Sequence, residues 1–90
     1  MAVIRFTPHL RAFFDLPETA QAQAATLGEL VGTLDAMWPG LGFYVTDEQG
    51  RLRKHVAVWI DGKRVTERDK LDQALQPESE VHILQALSGG

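Results

Sequence analysis

The sequence predicts an α+β fold in which a mixed sheet of four or five strands carries one long helix across one face. The chain has 90 residues, enough for a single domain with one hydrophobic core. Its first and last apolar runs have the strongest strand character, so they suit the centre of the sheet. One long amphipathic pattern lies between them, and it predicts the helix that covers the sheet.

The N-terminal part of the chain predicts two strands and a connection. Apolar residues alternate in Ala2–Phe6, which is typical of a strand. Thr19–Ala25 alternates small and polar residues, which favours an exposed edge strand. We expect Thr7–Pro17 to be a connection whose apolar side chains fold back onto the core. These side chains are Leu10, Phe13 and Phe14.

The long helix has the clearest signals. Thr26 as N-cap and Glu29 three residues later form a capping box, and a Pro-Gly pair ends the pattern. Gly28 and Gly32 weaken the helix by up to about 1 kcal/mol each, so packing must stabilise it. The apolar stripe that follows helical spacing comprises Leu27, Leu30, Val31, Leu34, Met37 and Trp38, and we expect Trp38 in the core.

The C-terminal half predicts a hairpin and the last strand. Leu41–Leu52 is expected to be a turn-rich connection. The run "HVAVWIDGKRV" predicts two strands around Asp61-Gly62, where a type I′ turn requires positive φ. Leu71–Leu75 suits one or two helical turns, and Val81–Leu87 predicts the last strand.

Composition narrows the classes of function. The net charge of -3 gives no basic field for nucleic acid or an acidic membrane. No apolar run approaches the roughly 20 residues that cross a bilayer, and the start lacks signal-peptide features, so we expect a cytoplasmic protein. The chain has no cysteine, which excludes disulfides and a cysteine nucleophile.

The remaining chemistry-bearing residues predict no catalytic, metal or cofactor site in the chain itself. His9, His55 and His82 lack metal-ligand spacing. The sequence has no glycine-rich phosphate loop. Its acidic residues are scattered along the chain, and we expect them to lie on solvent-exposed faces.

The chain ends in "VHILQALSGG", and the final glycine pair calls for an explanation. A structural glycine usually supplies a turn, a bulge or a helix cap, and each needs chain beyond it. Gly90 is the last residue of this sequence. Two interpretations follow: the pair is a frayed tail, or the Gly90 carboxylate is the working group.

In element order and in its ending the chain resembles the MoaD/ThiS-type sulfur carriers, ubiquitin-like β-grasp proteins that end in Gly-Gly. The segments "EVHILQALSGG" and "HVAVWIDGKRV" carry the resemblance. It implies one β-grasp domain over residues 1–87 and a flexible tail over residues 88–90. The pathway stays open, because residues 85–88, just upstream of the glycines, include no proline and Ala57 stands where related carriers often have asparagine.

The resemblance implies a carrier without catalytic residues or bound cofactors of its own. A ubiquitin-activating-type adenylyltransferase would use ATP and Mg to adenylate Gly90. A persulfide or sulfide from a sulfur donor would displace AMP, and a sulfur-accepting synthase would receive the sulfur from the thiocarboxylate. Ser88, Gly89 and Gly90 would thread the partner's active site, which the missing Cβ atoms of the glycines allow.

Two other functions fit the same residues. A ubiquitin-like modifier would use Gly90 to form isopeptide bonds with lysines of other proteins. A β-grasp interaction module would carry the glycines without using them.

The strand pleat predicts a docking face for the partners. Counting along the strands places Trp59, His82 and Leu84 on one face, with Arg5 beside them. Ubiquitin uses the equivalent face for recognition, and exposed aromatic residues are enriched at interfaces. The alternative is that Trp59 only covers the sheet under a loop and that His82 is an ordinary half-exposed strand residue.

Overall fold

The computed structural model describes residues 1–85, and Ala86–Gly90 lie outside the described part of the chain. The described part contains five strands and three helices. In chain order they are β1 (Ala2–Phe6), α1 (Pro8–Phe14), β2 (Thr19–Ala22), α2 (Leu27–Met37), α3 (Leu41–Val45), β3 (Val56–Ile60), β4 (Lys63–Arg64) and β5 (Glu80–Gln85).

The five strands form one mixed sheet in the order β2-β1-β5-β3-β4. β1 and β5 run parallel, whereas the other neighbouring strands run antiparallel. The prediction that the first and last strands lie at the centre is therefore confirmed. β2 lies at an edge as predicted, although it ends at Ala22 rather than Ala25.

The hydrophobic core lies between the sheet and the helices. The strands contribute Ile4, Val58, Val81 and Ile83, none of them more than 1% exposed. The helices contribute Leu10, Leu27, Leu30, Leu34, Leu41 and Val45, all equally well buried. Each burial of such a side chain contributes about 1.5–3 kcal/mol, which explains how so small a chain keeps a defined core.

Helix α2 begins and ends where the sequence predicts. The amide of Glu29 donates to Oγ1 of Thr26 at 3.2 Å, so Thr26 caps the helix as predicted. Leu27, Leu30, Val31 and Leu34 are buried, but the expectation for Met37 is wrong, because its side chain is 46% exposed. Trp38 is half-buried at the rim of the core.

Two short helices occupy segments that the sequence predicted to be connections, so the expected single helix is joined by α1 and α3. In α1, Leu10 is buried and Phe14 packs against the core, as expected. Phe13 is 63% exposed, so the expectation that it folds onto the core is wrong.

The segment Leu71–Leu75 is not helical, contrary to the prediction. Its backbone bonds with the start of α2 instead of with itself. The amides of Leu27 and Gly28 donate to the carbonyls of Gln73 and Leu71 at 3.0 and 2.7 Å. These bonds satisfy amides that the first turn of a helix leaves free, so they replace the predicted helical turns.

The β3–β4 hairpin has the predicted turn. Asp61 and Gly62 have φ angles of 50° and 83°, as a type I′ turn requires. β5 begins at Glu80, one residue before the predicted start, and the last two predicted strand residues, Ala86 and Leu87, lie outside the described residues.

Candidate functional site

The sheet has one face covered by the helices and one open face. Along β3 and β5 the side chains alternate, so that Val58 and Ile83 join the core whereas Trp59 and His82 are exposed. Arg5 is exposed in the same way on β1. Alternation along a pleated strand fixes this separation of faces.

The four predicted docking residues lie together on the open face. Arg5 of β1 pairs with His82 of β5, and His82 pairs with Trp59 of β3. Two residues further along β5, on the same face as His82, Leu84 pairs with Ala57. Residues directly opposite each other on neighbouring strands have Cβ atoms about 4.5–5.5 Å apart, so these side chains are neighbours.

Arg64 extends this row, although sequence reasoning did not identify it. It pairs with Trp59 across the hairpin, so Arg5, His82, Trp59 and Arg64 follow one another over four strands. Its position depends on the register of the two-residue turn at Asp61-Gly62. The predicted turn therefore already implied that Arg64 lies opposite Trp59.

The open face has an apolar strip in the middle and polar side chains on either side of it. Trp59 is 38% exposed, Leu84 is half-buried, and Ala57 is 9% exposed. Arg5 and His82 line a shallow groove of about 270 Å³ that borders this strip beside Leu84. An aromatic side chain flanked by cations and apolar surface is the composition enriched in the centre of protein interfaces.

Glu80 connects two residues of the open face electrostatically. Nε of Arg5 donates to Oε1 of Glu80 at 3.1 Å, and Nε2 of His82 lies 3.5 Å from the same oxygen. The bond from Arg5, and then the contact with His82, hold the pKa of Glu80 below its ordinary value. Because all three groups are exposed, this network orients the side chains more than it stabilises the fold.

The start of β5 is anchored to the hairpin turn. The carboxylate of Asp61 accepts the backbone amide of Glu80 and the hydroxyl of Ser79, each at 2.9 Å. The amide bond and then the hydroxyl bond lower the pKa of Asp61. Ser79 is only 2% exposed, and the bond to Asp61 satisfies its buried hydroxyl. From the sequence, Asp61 is predicted only as a turn residue.

The tail residues Ser88, Gly89 and Gly90 lie outside the described residues, so their predicted roles stay predictions. The last described residue, Gln85, pairs with Val56 at the end of β5. The strand that carries His82 and Leu84 therefore leads directly into the terminal segment.

Over residues 1–85, no group of three or more His, Cys, Asp or Glu side chains is arranged to hold a metal ion. Within the same part of the chain, no helix is both long and apolar enough to span a membrane.

The architecture and its open face define a ubiquitin-like β-grasp protein, with central parallel strands and a helix across one face. The fold is shared with a chain of the Amycolatopsis orientalis BexX/CysO complex, with a TM-score of 0.86, 19% identity and full coverage of both chains. Mycobacterium tuberculosis CysO, described as an antigen, gives a TM-score of 0.84 at 22% identity, covering 97% of this chain and all of that one. Small archaeal modifier protein 1 from Methanosarcina acetivorans gives 0.81 at 17% identity, with 99% and 95% covered.

The chain belongs to the ThiS family, whose model matches residues 5–90. The resemblance found in the sequence is thereby confirmed. A search of curated protein sequences finds no significant match to the chain. The three structures are each less than 25% identical to the chain, so they establish its fold and nothing further.

Proposed function

We propose that the chain is a sulfur carrier whose working group is the Gly90 carboxylate. A carboxylate is a poor electrophile, so a partner adenylyltransferase first transfers AMP to it from ATP with Mg, releasing pyrophosphate. Sulfide then attacks the acyl carbon and AMP leaves, which produces a thiocarboxylate. A persulfide donor can attack in the same way, which gives an acyl disulfide as AMP leaves. A thiol then cleaves the S–S bond of that intermediate, which releases the thiocarboxylate and leaves a disulfide.

The observation that carries this proposal is the family match, which extends to Gly90. The absence of cysteine agrees with it, because the sulfur would be held on the main chain rather than on a thiol. Glycine at positions 89 and 90 suits the chemistry, since no Cβ shields the acyl carbon. The chain would supply the acyl group, and the partner enzymes would supply the catalytic residues.

The open face would dock onto the activating enzyme. Trp59 and Leu84 supply apolar surface, while Arg5 and His82 supply orientation. A complex containing BexX is known for one structural relative, which supports recognition by a partner protein. Because β5 carries both His82 and the terminal segment, docking on this face would direct Gly90 towards the partner's active site.

A ubiquitin-like modifier is the second candidate. The similarity to small archaeal modifier protein 1, with a TM-score of 0.81, favours it. Conjugation would use the same acyl adenylate, but a lysine amine rather than sulfur would displace AMP.

Mass spectrometry of the protein from its own cells separates the two functions. A carrier gives an intact mass in which one oxygen is replaced by sulfur, and this form disappears in cells that lack the adenylyltransferase. A modifier gives lysines of other proteins that carry residues 71–90 after trypsin digestion, because no Lys or Arg follows Lys70. If neither product forms in cells that contain the activating enzyme, the proposal is wrong.

A further inference from the structure

A second exposed surface lies outside the strands of the sheet. Phe13 of α1 is 63% exposed and Phe43 of α3 is 59% exposed, although phenylalanine is among the residue types most often buried. The proposed docking of the open face uses neither residue. Exposed apolar side chains that lie together, rather than singly, mark interaction sites.

The rings on this side of the molecule form a connected series. The ring centroids of His9 and Phe13 are 5.7 Å apart, and those of Phe13 and Tyr44 are 5.8 Å apart. Tyr44 contacts His55 in turn, at 4.8 Å with nearly perpendicular planes. The contacts restrain the exposed rings, so little conformational entropy would be lost when a partner covers them.

Positive charge is concentrated beside these rings. The groove that His55 lines beside Tyr44 holds four cationic side chains and two carboxylates, one of which, Asp47, pairs with Arg51 at 3.1 Å; the cations are Arg51, Arg53, Lys54 and Arg68, and the second carboxylate is Asp69. Arg53 places its guanidinium 4.7 Å from the centroid of the Phe43 ring. Lys54 and His55 line this groove, which has a volume of about 550 Å³. A chain with a net charge of -3 thus presents a basic region next to its exposed aromatic rings.

We propose that this aromatic–basic surface (His9, Phe13, Phe43, Tyr44, Arg53, Lys54 and His55) binds an acidic protein segment that carries an apolar side chain. The rings would receive the apolar side chain, and the neighbouring cations would attract its carboxylates. Charge complementarity selects the acidic partner. Nucleic acid is disfavoured, because the chain as a whole is acidic.

The surface is built from α1, α3 and the residues before β3, whereas the open face is built from the strands. The two surfaces share no residue. A partner on the aromatic–basic surface would therefore leave Trp59 accessible, so the protein could be held by one partner while another contacts the open face.

Selection of short random peptides on the immobilised full chain tests the proposal, with counter-selection on the Phe13→Ser/Phe43→Ser double variant. We expect enriched peptides that are rich in Asp and Glu and contain one apolar residue. Their NMR shift changes should map to Phe13, Phe43 and His55. Phe13→Ser or Lys54→Glu should each weaken binding about tenfold, since single interface side chains commonly contribute that much.

The controls separate this surface from the open face. Because Phe13 is exposed, its serine variant should melt like the wild type, and adenylation by the activating enzyme should be unchanged. Trp59→Ala should leave peptide binding unchanged. Enrichment of basic or neutral peptides, shift changes centred on Trp59, a dimer that Phe13→Ser abolishes, or no enrichment at all would each overturn the proposal.

Discussion

Trp59 occupies the centre of the open face because of its register. It pairs with His82 on one side and with Arg64 on the other, and it is 38% exposed. The ring therefore keeps enough free surface to bind a partner while its neighbours restrain it. A side chain of this size in the middle of a docking face is the type that contributes most to interface energies.

Trp59→Ala should weaken binding to the activating enzyme by about 1–3 kcal/mol, because it removes the largest apolar group of the open face. Thermal stability should fall less than after truncation of a core residue. Phe13→Ala is the matched control, since it removes an even more exposed aromatic ring from the other surface. Titration calorimetry measures the affinity of both variants for the activating enzyme, and thermal melts measure their stability. If Trp59→Ala loses much stability but keeps its affinity, the ring belongs to the core.

Asp61 performs two structural tasks with one side chain. Its backbone adopts a φ of 50° in the hairpin turn, and its carboxylate accepts bonds from Ser79 and Glu80. Asparagine also tolerates this backbone conformation, so Asp61→Asn removes the charge while it keeps the turn.

The acid stability of the protein should depend on Asp61. The folded state lowers the pKa of Asp61 and of Glu80, so these carboxylates stabilise the fold above their ordinary pKa. That contribution is lost as the pH falls through the lowered pKa values, below about pH 4. Thermal melts over this range should show a shallower pH dependence for Asp61→Asn than for the wild type, and equal slopes for the two proteins would contradict this role of Asp61.

On the scale of elements, the two glycines of α2 have different surroundings. A Cβ on Gly28 would lie 3.0 Å from the carbonyl oxygen of Leu71, which also accepts the Gly28 amide. A Cβ on Gly32 would meet no atom within 4 Å. A side chain at position 28 would therefore crowd the contact between α2 and the segment that precedes β5, whereas one at position 32 would not.

Gly32→Ala should stabilise the protein by up to about 1 kcal/mol, because alanine is the better helix former and has free space. Gly28→Ala should stabilise it less or destabilise it, since the added methyl group crowds a backbone oxygen. Chemical denaturation of the two variants provides the comparison. Equal stabilisation by both would contradict the close approach of Leu71.

Core truncation in α2 should depend on which side of the helix is changed. Leu34 is 1% exposed, so Leu34→Ala should cost about 2–5 kcal/mol. Met37→Ala should cost much less, because Met37 is 46% exposed. Denaturation midpoints test the pair, and similar losses for both would mean that the helix is rotated from its described position.

The elements that could be predicted from the sequence are those with local signals. The capping box and the full apolar stripe determine α2, and Asp61-Gly62 determines the hairpin. Helices α1 and α3 were missed because seven and five residues make fewer than two helical turns, too few for a repeating apolar pattern to be recognised. The segment Leu71–Leu75 was misassigned because its hydrogen-bond partners lie more than forty residues earlier in the chain.

The candidate site was predictable to the same degree. Strand alternation alone placed Arg5, Trp59, His82 and Leu84 on one face. Arg64 could have been placed from the two-residue turn at Asp61-Gly62, whereas the contact of Glu80 with Arg5 depends on the register between β1 and β5, which no local pattern indicates. The anchoring of Ser79 by Asp61 joins residues eighteen positions apart, so no local pattern indicates it.

On the scale of the whole molecule, β5 joins recognition to chemistry. It is the central strand, bonded to β1 and β3 and fixed at its start by Asp61. It presents His82 and Leu84 on the open face and leads into the segment that ends at Gly90. A partner bound to the open face would thus hold the strand from which the carboxylate is delivered.

Deletion of Gly90 tests the central claim most directly. The deleted protein and the wild type are each incubated with the activating enzyme, ATP, Mg and sulfide, and their intact masses are measured. Only the wild type should exchange one oxygen for sulfur, while both should melt alike, because terminal residues contribute little to a folded core. Sulfur incorporation and transfer by the deleted protein at the wild-type level would contradict the account.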